Sequence, residues 1–268
     1  MATEQQRILH FIDSGGVYGA EQVILNLSSQ MLQSKRYQPV IGCIVNKVDD
    51  QNDLYDAAEK LGVSAIKIPI ANALVFRDIP RAAKLIKEKK ISLIHSHGYK
   101  PSVYGSIIYL FTLIPIIATC HLWFDSLNGP FKTRVMTWIE KHLYRFFPKV
   151  IAVSQPIQNI LLAHRVRKQK TTIIRNGVEL PNTSLFSQEK AKVKAELGVP
   201  KDAYCVLNAG RLTRQKAQWT LIESAAALKA EGKSVHFLIV GEGNLKGELE
   251  ALVTKLRVED VVSLLGFR

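Results

Sequence analysis

Cysteine is scarce in this chain: Cys43, Cys120 and Cys205 are the only three in 268 residues. They stand far apart in apolar surroundings, with neither metal-ligand spacing nor a disulfide framework. Three buried thiols of a reducing compartment are expected. Long apolar runs are lacking too. The most apolar stretch, Ile107 to Ile117, is too short to span a bilayer and contains Pro115. It reads as a buried helix followed by a strand. Met1 to Arg7 is polar and reads as no signal peptide. Acidic residues are few where basic ones are dense: 132–175 holds ten Lys or Arg and one acid, Glu140. The net charge of +13 calls for an anionic partner, whether phosphorylated ligand, anionic membrane or nucleic acid.

What is present is a soluble globular composition, 47% hydrophobic and 22% charged, with length enough for two domains. Apolar strand-like runs alternate with helical spacing. The strands are expected at Arg7–Asp13, Val40–Val45, Ala65–Ile68, Ile91–Ser96, Ile114–Thr119, Val150–Ser154 and Thr171–Arg175. After a polar, turn-rich linker at Pro181–Ser187 come three more, around Cys205–Asn208, at Val235–Val240 and at Val261–Leu265. The helices expected between them are Ala20–Leu32, Leu54–Leu61, Pro80–Lys89, Ser102–Leu113, Lys132–Lys149, Pro156–His164, Glu189–Leu197, Trp219–Ala230 and Leu245–Leu256. Such alternation means parallel, doubly wound sheets. The domains are expected at 1–180 and 181–268.

Ligand chemistry in such folds gathers in strand-to-helix loops. Gly210, Arg211 and Lys216 fall in the loop between the Cys205 strand and the Trp219 helix. A small residue lets a ligand approach the backbone, and Arg and Lys five apart reach one polyanion. The helix start adds N–H groups and partial positive charge. The set suits a diphosphate leaving with growing negative charge. The alternative is a solvated basic loop. Ser14 to Gly19 is a glycine loop between strand and helix, a phosphate cradle or a tight turn. Glu21 follows it and also suits a helix cap. His97 and His121 fall just past strand ends, on the ligand edge. His95 and His97 have no nearby third ligand, so metal is not expected. In Lys132–Lys149, the apolar Val135, Trp138, Ile139, Leu143 and Phe146 fall on one side. Lys132, Arg134, Lys141, Arg145 and Lys149 form a basic rim. That pattern fits a helix on anionic lipid or an ordinary packed surface helix.

Taken in order, these motifs resemble glycosyltransferase family 4, retaining sugar transferases of the GT-B fold. The residues carrying the resemblance are Gly15-Gly16 with Glu21, Ile94 to Gly98, Thr119-Cys120-His121, Ile151 to Ser154 and Ile174 to Glu179. Further on they are Gly210-Arg211-Leu212 with Lys216, and Val240 to Gly243. The resemblance implies two Rossmann-like domains, the second incomplete. It implies that Arg211 and Lys216 grip the donor diphosphate, and that Gly15 and Gly16 face donor and acceptor. It places His121 at the donor sugar, Asn176-Gly177 at the domain crossover, and Gly241 and Gly243 near the nucleotide base. No metal or cofactor is implied, because Arg and Lys supply the electrostatics. The donor would be UDP- or GDP-linked, and the acceptor a membrane lipid or envelope glycan. The enzyme would be cytoplasmic, peripheral on the inner face of the cytoplasmic membrane. A family member would continue for about another 100 residues and carry a Glu-x7-Glu motif there. The chain is therefore expected to be truncated or a fragment. Two other readings are a non-catalytic lipid-surface or partner-binding protein and a sugar-nucleotide epimerase of the same fold. Nucleic-acid binding has only net charge behind it and no stacking platform or motif.

Overall fold

The computed structural model describes residues 5–14, 16–34, 36–71, 75–121, 131–178 and 186–268, with backbone alone at 132–133 and 186–188. They divide into two compact units, Met1–Glu179 and Leu180–Arg268. In the first unit the strands are β1 (Gln6–Ile12), β2 (Tyr37–Val45), β3 (Ser64–Pro69), β4 (Leu93–His97), β5 (Ile116–Cys120), β6 (Val150–Ala152) and β7 (Thr171–Ile173). They form one sheet in the order β3-β2-β1-β4-β5-β6-β7, and every pairing is parallel. The order reverses between β1 and β4. A ligand crevice is expected outside the carboxyl ends of strands at such a switch point.

Six helices connect these strands: α1 (Gly19–Gln33), α2 (Asp53–Lys60), α3 (Val75–Glu88), α4 (Tyr99–Thr112), α5 (Phe131–Leu143) and α6 (Gln155–Ala163). Alternation along each strand decides what lies on either face. Leu9 and Phe11 of β1 join the larger core with Ile79, Ile86, Ile108 and Leu161 of α3, α4 and α6. Ile12 joins a second core with Ile24, Leu25 and Leu54 of α1 and α2. His10 lies between Phe11 and Leu9 in sequence, so its side chain takes the α1 side, and His95 and His97 do the same on β4.

The second unit holds α7 (Phe186–Glu196), β8 (Tyr204–Ala209), α8 (Gln218–Ala230), β9 (Val235–Val240), α9 (Lys246–Leu256) and β10 (Val262–Leu264). Its parallel sheet runs β10-β9-β8. Ile222, Ala225, Phe237, Ile239, Leu249, Val253 and Val262 make its core.

Three expectations need correction. Cys205 is not the buried thiol expected: among the described residues β8 has β9 alone beside it, so Leu207 is 64% exposed and Cys205 only half-buried. Cys43 and Cys120 are buried as expected, and burial pushes the Cys43 thiol up to about 12. Helix α3 starts at Val75, before Pro80, because Asp78 in its first turn accepts the Ala71 N–H at 3.1 Å and anchors the entry. Helix α5 ends at Leu143. The backbone then turns, and Tyr144 and Phe147 plug into the core while Arg145 Nε donates to the His164 carbonyl at 2.9 Å.

Candidate active-site residues in the two units

In the second unit, β8 delivers Gly210 and Arg211 to its carboxyl edge, and a short 3-10 turn, Arg214–Lys216, leads into α8. Leu212 is buried and anchors the loop, which leaves Arg211 and Lys216 exposed at the start of a helix. The aliphatic stem of Lys216 lies over Gly210, 3.6 Å from where a Cβ would stand. The loop is held from both sides. The Gly210 N–H donates to the Val240 carbonyl at 2.9 Å, and the Leu212 N–H to the Glu242 carbonyl at 2.9 Å. Gln218 Nε2 donates to the Arg211 carbonyl at 3.1 Å.

Gly241 and Gly243 belong to the same construction. A Cβ on Gly241 would fall 2.1 Å from the Gly210 carbonyl oxygen, and one on Gly243 2.3 Å from that of Leu212. Gly241 also has φ +138°, a backbone that side chains rarely adopt. Their glycine character is what lets the β9–α9 turn lie against the Arg211 loop.

In the first unit, a cavity of about 440 Å³ opens between α1 and the carboxyl ends of β4 and β5. Its walls include Asn26 and Gln30 of α1, His95, His97, Thr119, His121, and the stretch Ile174 to Val178 with Asn176 and Gly177. Glu21 is buried at the start of α1, where its Oε2 accepts the Tyr18 N–H at 3.1 Å. It therefore caps the helix, and its charge also favours the protonated form of His121. Ser14 and Gly16 close a tight turn, with Ser14 Oγ donating to the Gly16 carbonyl at 2.6 Å. Gly15 lies outside the described residues.

His10 is the residue that the sequence reading missed. The β1–β4 register sets it directly opposite His95. His10 Nδ1 lies 3.2 Å from His97 Nε2, and His97 Nδ1 lies 3.0 Å from His121 Nε2. His95 Nε2 is bonded to Thr119 Oγ1 at 2.7 Å. Burial depresses all four: His10 falls to about 4, His95 and His97 fall well below the usual imidazole value, and His121 is lowered against the pull of Glu21. All four are therefore neutral at pH 7. One nitrogen each of His10, His95 and His97 lie within 4.8 Å of one another. That supplies the third nitrogen that His95 and His97 lack in sequence, so these three are the group among the described residues able to hold a metal ion. The signal for His10 was its place in a strand that neighbours the His95 strand in doubly wound sheets.

Two family models match this chain: glycosyltransferase family 4 over residues 17–181 and glycosyl transferases group 1 over residues 189–268. The chain belongs to glycosyltransferase family 4. Among similar family members, an uncharacterized glycosyltransferase of Methanocaldococcus jannaschii is 29% identical over 69% of this chain and 48% of its own. The Escherichia coli UDP-Gal:alpha-D-GlcNAc-diphosphoundecaprenol alpha-1,3-galactosyltransferase is 26% identical over 69% of this chain and 49% of its own. The chain thus spans about half the length of the curated relatives it matches. HepE of Anabaena, solved with UDP-glucose, superimposes with a TM-score of 0.80 at 21% identity, covering 98% of this chain and 70% of that one. This likeness shows the fold, which is that of GT-B glycosyltransferases.

The basic stretch is arranged differently from the expected amphipathic pattern. Thr137, Glu140, Tyr144 and Phe147 face the core, and Glu140 accepts the Tyr144 hydroxyl at 2.7 Å. Phe131, Val135, Trp138 (61% exposed) and Phe146 (78% exposed) point outward. Arg134 is exposed and Lys141 half-exposed, while Lys149 Nζ lies 3.4 Å from the Gln169 carbonyl. The Lys132 side chain lies outside the described residues. No described helix is long and apolar enough to cross a membrane.

Proposed function

We propose that the chain carries donor-gripping and sugar-facing residues of a retaining glycosyltransferase. It moves a sugar from a nucleotide diphosphate sugar to a hydroxyl of a lipid-linked or glycan acceptor. The observation that carries this reading is the pair Arg211 and Lys216, exposed beside Gly210 where a strand ends and a helix begins. Charge grows on the diphosphate as the sugar leaves. A guanidinium fork, an ammonium and helix N–H groups stabilise that charge more than the ground state. In this reading they do the work a metal does elsewhere, and retention follows from attack on the face the phosphate leaves. UDP is the favoured nucleotide, since HepE was solved with UDP-glucose and the Escherichia coli relative is named for UDP-Gal. The lipid-linked acceptor is favoured by the names of two relatives, which act on diphospho-undecaprenol substrates.

Calorimetric titration with UDP and GDP, beside Arg211→Ala, tests the reading. UDP binding that the variant loses supports it. A folded chain that binds neither nucleotide sinks the donor-site assignment.

The outward apolar residues of α5 favour a companion reading: the first unit rests on anionic lipid at the inner face of the cytoplasmic membrane. Exposed Phe and Trp beside Arg and Lys are suited to the headgroup boundary. Lipid binding without nucleotide binding would make the chain a surface-binding protein rather than a transferase.

A further inference from the structure

Every strand of the first sheet runs the same way, so the turns that lead from a helix into a strand gather along its amino edge. That edge is opposite the one that carries the 440 Å³ cavity. The sheet order sets the turns before β4, β5, β6 and β7 side by side. Hydrogen bonds tie them together. Lys87 Nζ, at the end of α3, donates to the Phe111 carbonyl at the end of α4 at 2.8 Å. The Ala118 N–H of β5 donates to the Lys149 carbonyl before β6 at 3.3 Å. Lys170 Nζ, before β7, donates to the Arg145 carbonyl, also before β6, at 2.8 Å.

Charge and apolar exposure are both concentrated here. Residues 87–92, 109–115, 144–149 and 164–170 hold nine Lys or Arg against one acid, Glu88. At the opposite edge, the turns after β1 and β2 (13–18 and 46–52) hold Asp13, Asp49 and Asp50 against Lys47. Within the basic row, 109–115 has no charge at all. There Leu110 is 73% exposed, Leu113 74%, and Phe111 about half, and the exposed Phe146 of the neighbouring turn adds a fourth large apolar side chain. Leu113 also holds left-handed backbone, φ +58°, at the C-cap of α4. Glycine or asparagine is the usual residue in that conformation, and a bulky one is an outlier. Neither core packing nor backbone preference accounts for a leucine that is both strained and largely exposed.

We propose that this amino edge, beyond α5 itself, is where the first unit meets an anionic bilayer, with Leu110, Phe111, Leu113 and Phe146 as its inserted tip. The chemistry commits the partner. A layer of lipid phosphates matches the cations, and the hydrocarbon beneath it matches the apolar side chains between them. A nucleic acid would match the charge and leave the aliphatic tip in water. One apolar anchor gives weak, reversible attachment, and a second makes it stable, so the end of α4 and the α5 residues hold together. The strands then stand on the surface with the cavity facing away from it. With β4 and β5 five residues long, the cavity lies about 15 Å further from the headgroups than the tip. This rests on the companion reading that the first unit binds lipid, and adds which edge does so.

The test uses the full chain and phosphatidylglycerol vesicles. An environment-sensitive fluorophore is placed on Leu113→Cys in a Cys205→Ser background, since Cys205 is only half-buried. On vesicle binding its emission should shift to the blue, and an aqueous quencher should lose access to it. The same label on Val48→Cys, exposed in the turn after β2, should do neither. Leu110→Ser combined with Leu113→Asn should weaken binding at high salt about tenfold or more, without lowering the melting temperature. A label at position 48 that responds as strongly as one at 113 overturns the proposed edge. So does a Leu110→Ser, Leu113→Asn chain that binds like the unaltered one while Trp138→Ser loses binding; the companion reading would then stand on α5 alone. Absence of vesicle binding by the unaltered chain overturns both. Tighter binding of tRNA than of vesicles at equal phosphate concentration overturns the choice of partner.

Discussion

Arg211 and Lys216 differ in what they can offer a diphosphate. Arg211 presents a planar fork from a loop whose carbonyl is tied to Gln218, while Lys216 is a point charge whose stem is laid over Gly210. Replacing either by Ala removes charge-assisted hydrogen bonds worth about 1.5–3 kcal/mol, so UDP affinity should fall about ten- to a hundredfold in each. Arg211→Lys should fall between, since the charge stays and the bidentate geometry goes. Calorimetry reads all three, and unchanged affinity in both Ala variants would remove the site. His10 makes a separate prediction. Its folded value of about 4 lies below the ordinary imidazole value of 6.5, so the unfolded chain takes up the proton first as pH falls. Stability is complete above pH 6.5 and is lost between there and about 4. For His10 alone the loss is about 3 kcal/mol, and His95 and His97 act in the same direction. Urea midpoints at pH 7.5 and 4.5 check this. Equal midpoints would mean that the histidines are not buried neutral.

At the scale of elements, the Arg211 loop depends on a neighbour that carries no charge. Gly241→Ala drives a Cβ onto the Gly210 carbonyl from a strained φ and should cost about 1–3 kcal/mol. It should also cut UDP binding, although no ligand-facing group is altered. Gly247→Ala is the control: it lies in α9 with open space around it and should be neutral or slightly stabilising. Equal UDP affinity in the two variants would show that the glycine turn does not shape the loop. This coupling explains what the sequence could and could not reveal. Alternation of apolar runs with helical spacing marked the ten strands and nine helices found among the described residues, because each buries a face of fixed period. Boundaries slipped where a tertiary contact decided them, as at Val75, where Asp78 anchors the entry to α3, and at Leu143, where the chain turns toward the core. Gly210, Arg211, Lys216, Gly241 and Gly243 were legible because each falls in a loop between a strand and the next helix. His10 was not, since its partners come from a strand more than eighty residues away and only the β1–β4 register brings them together. Nor was the exposure of Leu207: an apolar run does not say whether its strand has one neighbour or two.

For the whole molecule, the net charge of +13 is unevenly placed, with 23 basic and 13 acidic residues in 1–180 and 13 and 10 in the rest. Electrostatic attraction to a lipid surface should therefore belong to the first unit. It is screened by salt within a Debye length, about 8 Å at physiological ionic strength. Apolar insertion is not screened in that way. The outward side chains of α5 and of the turn after it supply both terms, and the two separate experimentally. Vesicles containing phosphatidylglycerol should bind the chain at low salt, and vesicles of phosphatidylcholine alone should bind it weakly. Replacing Arg134 and Lys141 by Glu should abolish the salt-sensitive part; Arg145 is spared because it holds the His164 carbonyl. Replacing Trp138 and Phe146 by Ser should leave the low-salt attraction and remove what survives at high salt. These two rings are largely exposed, so the change should leave the melting temperature unaltered. Binding that withstands both double variants would place the lipid contact elsewhere. Absence of binding to anionic vesicles by the unaltered chain would leave the exposed rings of α5 to another partner.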